Sequence, residues 1–190
     1  RSAPSGDAFD GDGARAPALD GAGAPIGHEL GLTYDVRPRH RGHDPLLFLD
    51  LRAGRRRIRA EASGKRVLNL FAYTCGVGVA AMAGGAREVW NVDFARSALD
   101  VGRANAVRNG HADEKRFVTV CEDVVPVVRQ LAGLPVRGRG ARARPFAQVE
   151  PRAFDLVVLD PPRWGKGRFG AVDVVRGDPP LFKPPLLAPS

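Results

Sequence analysis

Residues 66–83 read RVLNLFAYTCGVGVAAMA, and the change of texture inside this stretch decides the fold. Arg66–Leu70 is a compact β run, a turn carrying Gly76 and Gly78 follows, and the small apolar residues of 77–83 make a short helix. The same unit recurs downstream. Residues 88–92 (EVWNV) predict a second strand and 95–109 a helix, with Ala98, Val101, Ala104 and Val107 at i+3 spacing and Gly110 just beyond its end. A third repeat comprises 116–121 and 123–131, and 154–159 (FDLVVL) is a fourth strand. Strands alternating with helices at this spacing predict right-handed βαβ units, hence an α/β fold with a doubly wound, mostly parallel, Rossmann-like sheet. The continuous apolar runs fit strands covered on both faces.

Outward from this core, 32–36 and 46–49 predict a short hairpin and 51–62 a helix stopped by Gly64. Residues 1–27, rich in Ala, Gly, Pro and Asp, read as a flexible leader that buries too little surface to offset its ordering entropy. The chain thus divides into this leader, a basic hairpin-and-helix segment over 28–65, and a sheet domain over 66–190 interrupted by a low-complexity basic loop at 136–152. Past Asp160, Pro179, Pro180, Pro184 and Pro185 crowd the place of a further helix, so the sheet is expected to be incomplete at its C-terminal end. An apolar edge left there should promote aggregation or require a partner.

The 190 residues carry a net charge of +8, which favours a polyanionic partner. Residues 37–66 hold ten arginines and lysines against three acids, Asp44, Asp50 and Glu61. That segment reads either as an electrostatic footprint or as a solvated helix face with snorkelling arginines. No apolar run approaches the roughly 20 residues that span a bilayer, and no secretory leader is visible, so a cytoplasmic protein without membrane association is expected. Cys75 and Cys121 are too few and too far apart for a disulfide framework or a metal site.

In an open α/β sheet, ligands sit outside the carboxyl ends of the strands, which singles out four places. After the first strand, Phe71, Ala72, Tyr73, Thr74, Gly76 and Gly78 form a turn whose glycines either admit a ligand or serve packing. After the second stands Asp93, seventeen positions beyond Gly76, suited to the two hydroxyls of a ribose. Glu122 and Asp123 follow the third strand, as acceptors for an adenine amino group or, for Asp123, as a helix N-cap. After the fourth comes Asp160-Pro161-Pro162-Arg163-Trp164-Gly165-Lys166, a stiffened turn that presents fixed acceptors to the polar edge of a nucleobase. Trp164 could stack on that base, or be a core aromatic.

Together, NLFAYTCGVGVAA (69–81), VWNVDFARSALDVGRANAVRNG (89–110) and LVVLDPPRWGKG (156–167) resemble the bacterial class I S-adenosylmethionine-dependent methyltransferases related to the large-subunit ribosomal RNA cytosine-5 and guanine-N7 enzymes. The upstream LLFLDLRAGRRRI (46–58) resembles that family's segment overlying the cofactor, and the likeness runs over 32–187 outside the loop. It implies S-adenosylmethionine at 71–78, Asp93 on the ribose, Asp123 near adenine, and Asp50 and Arg52 closing the site from above. It further implies Asp160, Pro161, Pro162 and Trp164 at the reacting centre, RNA, most naturally ribosomal, as partner, and no metal. Two departures stand out. No cysteine follows Cys121 to act as the nucleophile that cytosine-5 chemistry needs. The family's small N-terminal RNA-binding domain and last strands are not seen, so a partial gene product is expected. A catalytically incompetent RNA-binding remnant is the second reading; an NAD-dependent oxidoreductase, which leaves Asp160-Pro161-Pro162 unexplained, is the third.

Overall fold

A computed structural model describes residues 18–21, 23–38, 44–136, 145–161, 164–167 and 170–173. Four parallel strands, β4 (Arg66–Leu70), β5 (Glu88–Asp93), β6 (Phe117–Cys121) and β7 (Leu156–Leu159), form one sheet in the order β6-β5-β4-β7. The chain winds outward from β4 to β6 and then crosses back to β7, which leaves a topological switch between β4 and β7. Helices α2 (Gly76–Ala83) and α3 (Arg96–Arg108) pack on the sheet face that carries Val67, Val89 and Phe117. Helix α4 (Val124–Leu131) packs on the other, against Leu68, Leu70, Val92 and Val120. The fold is therefore α/β and doubly wound, as the alternation predicts.

Three smaller strands precede the sheet. β1 (Ala18–Leu19), β2 (Pro25–Glu29) and β3 (Leu32–Asp35) form an antiparallel unit, followed by helix α1 (Arg52–Glu61), and β8 (Trp164–Gly167) pairs with β9 (Gly170–Asp173) at the far end. The predicted hairpin is thus corrected: β3 pairs with β2, not with 46–49, and the supposed leader supplies strand residues from Ala18 onward. Short polar strands are held here by partners distant in sequence, which local composition does not reveal. The Asn109 side chain accepts from Thr33 N (2.9 Å) and donates to Thr33 O (2.7 Å), and Asn105 Oδ1 accepts from Asp35 N (2.8 Å). The side chains of α3 thereby complete the edge of β3 as a neighbouring strand would.

The loop expected over 136–152 is anchored in its second half. Ala147 N donates to Glu122 (3.0 Å), Gln130 bonds Ala147 O and Val149 N, and the Arg152 guanidinium lies 4.5 Å from the centre of the Trp90 ring while pairing with Glu88 at 2.6 Å. Residues 137–144, the proline-rich 174–190 and residues 1–17 lie outside the described residues. Among the described residues no helix is long and apolar enough to cross a membrane.

The α3 stripe is also corrected. Ala98, Leu99, Gly102, Asn105 and Ala106 are its buried residues, whereas Val107 is exposed. Strict i+3 spacing drifts around a 3.6-residue helix, so a buried face needs mixed i+3 and i+4 steps. Gly78 has a similar tale to tell about packing. A Cβ there would stand 2.1 Å from Asn91 Oδ1, the atom that accepts from Asn69 Nδ2 (3.0 Å) in the buried strand pair beneath α2. Gly78→Ala should therefore push α2 off the sheet and destabilise the fold by about 1–3 kcal/mol, the range typical of an overpacked core. Urea denaturation followed by circular dichroism checks this; an unchanged midpoint would contradict it.

Candidate functional site

The strand ends at the β4/β7 switch open into a cavity of roughly 660 Å³, within the range of small-molecule sites. Its floor is the turn after β4. Phe71, Tyr73 and Cys75 all have positive φ (56°, 48° and 58°), the left-handed region that costs a residue with a side chain about 1–3 kcal/mol. Surrounding bonds hold this shape: Ala72 N donates to Val92 O (3.0 Å), Cys75 N to Ala72 O (2.7 Å), and Tyr73 N to Asp93 Oδ2 (2.8 Å). The other Asp93 oxygen accepts from Ala95 N at 2.8 Å. From below, α3 comes so close that a Cβ at Gly102 would meet Cys75 Sγ at 2.4 Å.

Segment 44–51 forms a strap over the cavity. Leu46 and Leu47 are buried, the Thr74 hydroxyl donates to Leu46 O, and the Phe48 ring packs on Tyr73 with centroids 5.4 Å apart. Arg55 of α1, 1% exposed, donates to Phe48 O (2.8 Å) and bidentately to Glu29 of β2 (2.7 and 2.8 Å). Four carboxylates, Asp44, Asp50, Asp93 and Asp160, line the cavity. Burial raises the Asp93 carboxyl above the usual carboxylate range; burial and then the Asp50 charge do the same for Asp160. Arg55 is the one cation among the described lining residues, and Glu29 neutralises it. This lining suits a ligand with a positive centre and flat apolar surface. It would repel a pyrophosphate, which counts against the dinucleotide reading.

Of the residues singled out in the sequence, Asp50, Phe71, Ala72, Tyr73, Thr74, Gly76, Asp93, Asp160 and Pro161 meet in this cavity. Four others do not line it. Gly78 faces Asn91; Arg52 is 56% exposed, its Nε 3.8 Å from Glu29; Glu122 accepts from Asp123 N (2.8 Å) and Ala147 N; and Asp123 is the N-cap of α4, accepting from Val125 N (3.4 Å). Pro162 and the side chain of Trp164 lie outside the described residues. Sequence reasoning missed Arg55, hidden in a run of arginines, and Phe48, Phe94 and Asp44. The signal for Arg55 was its place one turn before Ile58 on the buried stripe of α1. Among the described residues no group of three or more His, Cys, Asp or Glu could hold a metal ion.

Comparison with known proteins agrees with this geometry. A family model of S-adenosylmethionine-dependent methyltransferases matches residues 28–134. Ribosomal RNA large subunit methyltransferase I of Aeromonas hydrophila is 37% identical over 160 residues, 83% of this chain and 35% of that protein. The protein of the same name from Shigella flexneri is 33% identical over 150 residues, 79% of this chain and 33% of the relative. The chain thus spans about a third of the length of these relatives. Among solved structures, SMU.776 complexed with SAH superposes with a TM-score of 0.70 at 25% identity, over 92% of this chain and 41% of that one. A SAM-dependent methyltransferase from Agrobacterium tumefaciens shares the fold, with a TM-score of 0.69 at 21% identity over 88% of this chain and 49% of its own.

Neither thiol lines the cavity. Cys75 is fully buried with its thiol pushed far up by desolvation, while Cys121 is half-buried with Sγ 3.5 Å from Phe94 O. A thiol-alkylating probe should label Cys121 in the folded chain and reach Cys75 only after denaturation, as counted by mass spectrometry. Equal labelling of both in the native state would show that the 71–75 turn opens.

Proposed function

From its membership of the S-adenosylmethionine-dependent methyltransferase family, to which this chain belongs, we propose that it binds that cofactor in the cavity at the β4/β7 switch and serves methyl transfer to a nucleobase, most naturally in ribosomal RNA. The acid-lined cavity carries this reading. Its volume accepts a nucleoside with an amino-acid tail, and Asp93, whose two oxygens keep acceptor capacity beyond their bonds to Tyr73 N and Ala95 N, suits the ribose hydroxyls. Asp50 and Asp160 in the lining, with the Phe48 and Tyr73 rings, favour a sulfonium. S-adenosylmethionine, when bound, would supply an electrophilic sulfonium methyl group. The chain's own part is to orient, exclude water and hold charge. Asp160 and the Pro161 turn offer acceptors for the polar edge of the target base, with Pro162 and Trp164 beyond them as further candidates.

RNA as partner is supported by the names of the relatives and by the charge balance, +8 overall around an acidic cavity. On α1, Arg52, Arg56 and Arg57 point to solvent, Arg57 being 81% exposed and 2.9 Å from Glu61. The footprint on α1 is smaller than its arginine count, because Arg55 is buried and Arg59 donates to Leu30 O. A cytoplasmic setting, where ribosomal RNA is made and modified, follows from the same reading.

Calorimetric titration of the chain with adenosylhomocysteine tests the site. A Kd on the order of micromolar is expected, weakened about ten- to a hundredfold in Asp93→Ala through loss of charged hydrogen bonds. No binding by a folded chain would sink the proposal, and salt-dependent RNA binding without cofactor binding would instead favour an RNA-binding remnant. Acidity provides a second check. Because the folded carboxyls of Asp93 and Asp160 titrate above the usual range, affinity should be full at neutral pH and fall on acidification before an ordinary aspartate would protonate. The same protonation relieves desolvation in the folded state, so these two groups contribute more stability as pH falls through that window, not less. Affinity that stays flat down to acid unfolding, monitored by circular dichroism, would contradict this assignment.

A further inference from the structure

A buried ion pair needs a reason, because replacing both charges by apolar groups of equal volume is often neutral or stabilising. Glu29 and Arg55 are buried, 26 residues apart, and joined by two bonds of 2.7 and 2.8 Å. Arg55 holds the Glu29 carboxyl below the usual carboxylate range, so Glu29 is a carboxylate at neutral pH. Its remaining nitrogen donates to Phe48 O, in the middle of the strap, at 2.8 Å.

Among the described residues the strap has few other polar ties. The Thr74 hydroxyl holds Leu46 O from the floor of the cavity, and Arg55, from α1 on the cavity wall, holds Phe48 O. Between these two points Leu47 is buried, and immediately beyond them stand the exposed Leu49 and Asp50. Arg55 thus fixes where the Phe48 ring meets Tyr73 and where the Asp50 carboxylate faces Asp160. Glu29 lies on β2, none of whose residues lines the cavity. That strand is in turn fixed through β3 by Asn105 and Asn109 of α3 and by Tyr34, whose hydroxyl donates to Gly76 O at 3.4 Å.

We propose that the Glu29–Arg55 pair is the positioning device of the site. It ties the small antiparallel unit to the strap, so that a strand touching no ligand sets how tightly the cofactor is held. Arg55 acts through Phe48 and Asp50, and its guanidinium, with an acceptor on each of its three nitrogens and its charge balanced by Glu29, leaves the cavity's negative character intact. Lysine in its place could not make this planar three-point contact. The proposal rests on the cofactor reading above.

The test uses the full chain with Glu29→Leu/Arg55→Met, which removes both buried charges at similar volume, beside the single variant Glu29→Gln, which keeps a hydrogen-bonding side chain. Adenosylhomocysteine affinity is measured by calorimetry, and hydrogen exchange is followed by mass spectrometry in peptides covering 44–51 and 96–108. Expected is a double variant that melts within a few degrees of the wild type, exchanges faster in 44–51 but not in 96–108, and binds about ten- to a hundredfold more weakly. Glu29→Gln should recover part of the affinity. Wild-type affinity and exchange in the double variant would overturn the positioning role. Loss of protection in both peptides would overturn it as well, by making the pair a general stabiliser. Should the wild type itself fail to bind, the cofactor reading falls, while the exchange of 44–51 still decides whether the pair holds the strap.

Discussion

The carboxylate of Asp93 is the point on which the site depends. A turn with three left-handed, non-glycine residues out of five is locally unfavourable, and Phe71, Tyr73 and Cys75 adopt it only because the surroundings determine it completely. Asp93 takes Tyr73 N on one oxygen and Ala95 N on the other, so it fixes the floor of the cavity and the start of α3 together. Its charge is disfavoured by burial, and backbone donors offset part of that cost. Below, Gly102 lets α3 come against Cys75, so the turn cannot relax downward. The result is a rigid set of backbone groups at the ends of parallel strands, which is what a site built on positioning requires.

Charge is sorted across the molecule in a way that composition conceals. A chain with an excess of eight positive charges surrounds a cavity lined by four carboxylates and one neutralised arginine. On the proposed function, a cationic cofactor and a polyanionic substrate would make opposite demands that a single surface could not serve. The strap resolves this by carrying Asp44 and Asp50 on the cavity side of a segment that leads directly into the basic α1. Within a few residues the side chains change from acidic to basic.

The sheet and its helices were legible because their information is local. Runs such as RVLNL and LVVL with small-residue turns leave few alternatives, and the first residues after each strand had to face the site. What escaped sequence reading was information held between segments. Gly78 resembles a ligand-binding glycine in one dimension, yet its neighbour is Asn91, thirteen positions away. Asn105 and Asn109 look like surface residues of an amphipathic helix until the open edge of β3 is set beside them. Glu122 was a fair candidate for adenine by position, but its carboxylate fastens the segment at Ala147. Arg55, the second basic residue after the strap's end in a run of arginines, has nothing local to distinguish it except the helical phase it shares with Ile58 and Ala62.

These hidden contacts are polar, and that bears on how the site behaves. An apolar interface between the antiparallel unit and α3 would tolerate sliding, since hydrophobic contacts have little directional preference. The asparagine bonds to Thr33 and Asp35 fix the register of β3 against α3 to one residue, because a shift would leave backbone groups and amides unsatisfied. Through β2 that register fixes Glu29, and through Glu29 it fixes Arg55 and the strap. The floor of the cavity is held by Asp93, at the end of β5, which accepts from the N-cap residue of α3, and its cover is held from the end of the same helix. A single rigid helix therefore sets the distance between the two, which lets a cavity made from residues spread over 44–161 keep one shape.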